Sequence, residues 1–163
     1  MLDFVKIISP NLNKLIKNSV KLYINDKFVS DGIWMARKDL LTEVEIAKIK
    51  EKLFAHINNI KEEQINKMVE QIKAGEEVEL DGNVIYLHNS FSPTLRLKNY
   101  EDFEFNAWDV GFYLNKLRKD KRFQNGWKLV LNKTDPVFLA FVDSSDIKDV
   151  TEDDILCVFV NVK

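Results

Sequence analysis

Cysteine is nearly absent: Cys157 stands alone, so no disulfide framework holds this chain. Five glycines and three prolines exclude a collagen-like or low-complexity polymer. With two histidines and one cysteine, a zinc site would need several carboxylates. No apolar run reaches the roughly 18 residues of a membrane span. Gly-rich phosphate loops of the GxxxxGK or GxGxxG kind are missing, as are a nucleophile elbow and HExxH. Neither sign of charge dominates. The 24 bases and 26 acids leave a net charge of −2, which argues against coating nucleic acid or an anionic membrane by bulk attraction. Arginine is also scarce, four against twenty lysines, beside fifteen Asn and fourteen Ile. An AT-rich coding genome explains that bias more simply than selection for lysine chemistry. The opening Met1–Lys6 lacks the long apolar core and small-residue cleavage site of a secretory signal, so the expected compartment is the cytoplasm.

What is present is core material. Of 163 residues 45% are hydrophobic, eleven are Phe and three Trp, enough for one domain without staples. No Gly/Ser/Pro-rich linker divides it, so a single domain over 1–163 is expected. Ser9-Pro10 reads as a helix start, and Leu12, Leu15 and Ile16 give a short N-terminal helix one apolar stripe. Val20, Leu22 and Ile24 then alternate with polar residues, the period of a half-buried strand. Asn25-Asp26 and Asp31-Gly32 are turn signals that make 20–37 a small meander.

Thr42 and Glu45 have capping-box spacing. Ile46, Ile49, Leu53, Ile57 and Ile60 follow at helical steps, and the stripe resumes at Ile65, Met68 and Ile72 before a stop at Gly75. A helix of that length predicts a kink or break near Asn58-Asn59 or Lys61–Glu63. Glu76–Leu80 and Val84–His88 flank Asp81-Gly82-Asn83, a second hairpin signal. Thr94–Lys98 adds a strand, and a medium helix is expected from about Asn106 to Arg122. Trp127–Leu131, Val137–Val142 and Ile155–Val162 read as strands, with a capped turn at Thr151–Asp154. The expected class is α+β, mostly antiparallel, with one long helix, straight or kinked, a medium helix and a short N-terminal one.

Three constellations bear on function. His88-Asn89-Ser90 matches half of the paired motif of two-histidine phosphoesterases, but His56 is followed by Ile57-Asn58 and supplies no partner motif. Asp135 with Asp146-Ile147-Lys148 mimics the acid, spacer, acid-x-Lys pattern of metal-dependent nucleases, whose carboxylates hold Mg²⁺. The plain alternative is a solvated loop. The same holds for 143–154, where six carboxylates surround one lysine without the central glycine of a Ca²⁺ loop.

The third constellation is a basic helix end. Lys116, Arg118, Lys119, Lys121 and Arg122 place five bases in seven residues. At about 100° per residue, Asn115, Arg118, Lys119 and Arg122 share a face, with Trp108 and Phe112 beside them. Such a strip suits a protein partner, since Trp and Arg anchor interfaces. It also suits phosphates and stacked bases. The structural alternative is cations complementing the helix dipole. Trp34 and Met35 point to opposite strand faces. One is expected inside and the other out. If Trp34 is exposed near Arg37, both join the candidate contact residues.

The expected function is therefore that of a small non-catalytic binding or regulatory protein with another protein as partner, of the kind a phage or mobile element carries. No cofactor and no membrane are expected. Nucleic acid is the alternative partner: the element order is similar in outline to one domain of a DNA sliding clamp, whose helices face DNA, though no motif carries the likeness. A metal-dependent hydrolase using Asp135, Asp146 and Lys148 is the third reading. The apolar last strand could extend a sheet into a homo-oligomer.

Overall fold

A computed structural model of the chain describes residues 12–16, 22–53, 60–85, 94–123 and 127–161. Three short strands, β1 (Tyr23–Ile24), β2 (Phe28–Ser30) and β3 (Trp34–Arg37), follow the helix α1 (Leu12–Ile16). Two helices come next, α2 (Glu43–Leu53) and α3 (Glu62–Lys73), then β4 (Glu76–Val78), β5 (Leu80–Ile85), β6 (Thr94–Leu97) and β7 (Tyr100–Asn106). Helix α4 (Ala107–Lys119) leads into β8 (Lys128–Asn132), β9 (Phe138–Val142) and β10 (Ile155–Val160). The class is α+β. A seven-stranded antiparallel sheet runs β1-β2-β3-β10-β9-β8-β4, and β5-β6-β7 form a second, three-stranded sheet.

Local sequence explains most element ends. Gly32 takes a φ of +92° in the β2–β3 turn, while the Asp31 carboxylate accepts N–H bonds from Ile33 at 2.8 Å and Trp34 at 2.9 Å. The Thr42 N–H donates to Glu45 Oε1 at 2.9 Å, and the Glu45 N–H donates to Thr42 Oγ1 at 3.2 Å, a reciprocal box that starts α2. The long apolar stripe belongs to two helices, with a break at Lys61, one of the two places expected for a kink or break. Lys61 is extended (ψ 136°) ahead of Glu62, which restarts the hydrogen-bond ladder as α3.

Two expectations in the middle of the chain are corrected. Asp81-Gly82-Asn83 is no hairpin turn, because Leu80–Ile85 is one strand opposite β6. Leu80 faces Leu97 and Val84 faces Leu95, so four steps on β5 match two on β6. The Gly-containing triplet is an irregularity that bends the strand. Its neighbour β4 pairs instead with β8 in the large sheet. The strand β7 was not expected at all. The proposed strand at His88 lies outside the described residues, as do Ser9-Pro10, Val20 and Asn58-Asn59.

The large sheet is covered on both faces. On one, Trp34, Leu139, Phe141 and Phe159 pack with Val110, Tyr113 and Leu117 of α4, and the small sheet adds Leu95 and Phe105. On the other, Met35, Phe138, Ala140 and Val158 pack against Ile65, Val69 and Ile72 of α3. All five residues of β9 are therefore buried. Tyr113 is the hub of the first face, its ring centroid 5.2 Å from Trp34, 5.0 Å from Phe112 and 6.1 Å from Phe159. Each such side chain contributes about 1.5–3 kcal/mol on burial, more than any surface ion pair below.

Gly75 joins α3 to β4 for a steric reason. A Cβ built there lies 2.6 Å from Val130 Cγ1 and 2.8 Å from the Leu131 carbonyl oxygen. Gly75→Ala is expected to destabilise by about 1–3 kcal/mol through forced displacement of β8. Urea unfolding checks this, and an unchanged midpoint would contradict the close approach.

Candidate interaction site at the end of helix α4

Asn106 starts α4 by accepting N–H bonds from Trp108 at 2.9 Å and Asp109 at 3.2 Å. The helix ends three residues short of Arg122. Asp120 is extended (ψ 116°), and its carboxylate accepts both the Arg122 backbone N–H at 3.0 Å and the Arg122 Nε–H at 3.0 Å. This local turn competes with a further helical turn. A 3-10 turn, Lys121–Phe123, follows. The expected single basic face is thus broken at Asp120, and Arg122 folds back instead of continuing the strip.

Its guanidinium reaches the 3-10 turn Lys38–Leu40 after β3. Arg122 Nη1 donates to Asp39 Oδ2 at 2.8 Å and Nη2 to the Asp39 carbonyl at 3.2 Å. Arg37 pairs with the same carboxylate, with Nη2 2.6 Å from Asp39 Oδ2. Both guanidinium carbons lie over the buried Phe123 ring, 5.6 Å from its centroid for Arg37 and 5.0 Å for Arg122. Burial alone raises the Asp39 carboxyl, and the bonds from Arg37 and Arg122 more than reverse it, so it titrates below its usual range.

Arg37 also ties the basic end to the acidic stretch, because its Nη1 donates to the Asp153 carbonyl at 3.1 Å. Lys27 faces the same turn, 3.0 Å from Asp153 Oδ1 and 3.7 Å from Glu152 Oε1. Lys116 pairs with Glu45, whose carboxyl is raised by burial but brought lower overall by Lys116 and Thr42. So Lys116 and Arg122 are anchored internally. Lys119 and Lys121 stay exposed, while Arg118 is half-buried.

The aromatic members of the strip are corrected. Phe112 is buried in the core, and Trp108 and Asn115 are each half-buried. Trp34 is also buried, and so is Met35, because helices cover both faces of the sheet. Trp34 is core, not a contact residue. Arg37 stays at the surface, its side chain 25% exposed.

The acid pair for a metal is not assembled. Asp135 precedes β9 and Asp146 follows it, so roughly 13 Å of strand lies between them. Asp146 Oδ1 instead accepts the Lys148 N–H at 2.9 Å, starting the 3-10 turn Ile147–Asp149. Thr151 begins the next turn, its N–H donating to Asp154 Oδ2 at 2.9 Å. Among the described residues no three His, Cys, Asp or Glu side chains gather to hold a metal. His56 and His88 lie outside those residues. No described helix is long and apolar enough to cross a membrane.

One ionisable group was missed from sequence. Asp109, in the first turn of α4, is buried and pushed up to about 8, mainly by desolvation and then by Asp31. The helix N-terminus acts against this by at most ~2 kcal/mol, against roughly 6 kcal/mol for ionisation delayed to near pH 8. Its position four residues before Tyr113, at the edge of the apolar face of α4, was the available signal. Compared with known proteins, the chain matches no family model, no curated sequence and no solved structure.

The two kinds of carboxyl predict opposite limbs in a stability profile. Asp39 and Glu45 titrate low when folded, so their contribution is present at neutral pH and lost as acid protonates them below about pH 4. Asp109 keeps its proton when folded, while the unfolded chain loses it near pH 4. Stability therefore falls from pH 4 to about 8, by at most ~1.4 kcal/mol per pH unit. Asp109→Asn is expected to flatten that fall and leave the acid limb. Urea midpoints across pH 3–9 test it, and a parallel slope in the variant would contradict the assignment.

Proposed function

We propose that the protein is a small non-catalytic binding protein that acts through contact with another protein, and that the contact surface is the end of α4 with its flanking 3-10 turns. One observation carries the reading. Arg37 and Arg122 are fixed over Phe123 by Asp39 and Asp120, yet remain partly exposed, 25% and 48% by side chain. Arginine is a frequent interface anchor. Side chains already held in place lose less freedom when a partner arrives. Exposed Lys119 and Lys121 border this platform on the same chain segment.

The nucleic-acid reading keeps those lysines but is weakened in its stacking partners, since Phe112 is buried and Trp108 half-buried. A photo-cross-linking amino acid at Lys119, with Lys67 on α3 as control, tests the proposal in extracts of the native cells. Both positions are exposed. Discrete protein adducts at 119, absent at 67 and resistant to nuclease, are expected. Adducts to nucleic acid alone, or equal labelling at both positions, would contradict it.

A further inference from the structure

We propose that the partner segment docking at the end of α4 is acidic, its carboxylates received by Lys119 and Lys121 beside the Arg37–Asp39–Arg122 platform. The inference rests on the protein-contact reading above and names the chemistry of the partner.

Charge complementarity argues for it. Residues 37–39 and 118–122 are joined by the Arg122–Asp39 pair and hold Arg37, Lys38, Arg118, Lys119, Lys121 and Arg122 against only Asp39 and Asp120. The two acids are spent on the arginines, Asp39 on Arg37 and Arg122, Asp120 on Arg122. Lys119 and Lys121 form no ion pair with any described residue and stay exposed on either side of Asp120. The negative end of the α4 dipole offsets only about half a charge of this surplus.

The spacing favours a peptide over a polyphosphate. Duplex nucleic acid presents one charge per roughly 1.7 Å and is held by an unbroken basic track with stacking or groove contacts. Here the half-exposed Asp39 interrupts the bases, Asp120 parts Lys119 from Lys121, and the Phe112 and Phe123 rings are buried, with Trp108 half-buried. A short acidic segment needs only two or three separated cations. It also suits lysine, whose ammonium acts as a point charge without the planar fork of a guanidinium.

Fluorescence anisotropy tests this with a labelled hexaglutamate peptide flanked by Gly-Ser, on the full chain at about 0.1 M salt. Saturable binding is expected, weakened about tenfold or more in Lys119→Glu/Lys121→Glu, less in Lys119→Gln/Lys121→Gln, and weakened by added salt. Circular dichroism establishes that the variants are folded. Equal affinity for wild type and both variants overturns the proposal. So does a single-stranded oligonucleotide that binds more tightly than the peptide through the same lysines. Self-association of the protein that excludes the peptide and disappears in the variants overturns it in favour of a second copy. If protein cross-links at 119 persist without peptide binding, only the acidic chemistry fails; if they are absent, the protein-contact reading fails as well.

Discussion

The structure depends on one constraint: β9 and β10 are apolar on both faces, so both faces of the large sheet must be covered. Every residue of β9 is buried, as is β10 from Ile155 to Phe159. An ordinary antiparallel sheet hides one face and wets the other. This one needs a helix on each side, and α4 and α3 supply them. Removing either would expose Phe141 and Phe159 or Phe138 and Val158 to water, at a cost no surface ion pair offsets.

The ionic groups at the rim follow from that arrangement. Packing α4 on the sheet brings its end beside the end of β3, and Asp39 then bridges Arg37 and Arg122. The balanced net charge conceals this segregation. Part of the basic end is consumed by the fold through Lys116 on Glu45 and Arg122 on Asp39 and Asp120, and part of the acidic 143–154 stretch through Arg37 on the Asp153 carbonyl and Lys27 on the Asp153 carboxylate. Lys119 and Lys121 stay exposed. Asp109 is the opposite case, a carboxyl buried by the same packing of α4 and left without the cations that hold Asp39 low.

Much of the fold was legible in the sequence because local chemistry dictates it. Asp31-Gly32 turned as its residues require, and the Thr42–Glu45 and Thr151–Asp154 caps formed at their spacing. Long-range facts were less legible. Period-two reasoning assigned one of Trp34 and Met35 to solvent, since a strand alone does not reveal what covers its second face. The unbroken run Phe138-Leu139-Ala140-Phe141-Val142 was the available clue. Glu101, Asp102 and Glu104 disguised β7: the first two are exposed, while Glu104, paired with Arg96, is buried like Phe105. Asp81-Gly82-Asn83 has hairpin chemistry but sits inside β5, as an irregularity between the Leu80–Leu97 and Val84–Leu95 pairs. At the site, the five bases were visible, but their partners Glu45 and Asp39 lie more than seventy residues away in sequence.

Native-state hydrogen exchange tests the central constraint most directly. If burial of both faces governs stability, the amides of Leu139, Ala140, Phe141 and Val158 exchange last and only through global unfolding, with the α2 amides opening earlier. Exchange of these central-strand amides through local openings, faster than α2, would contradict the account.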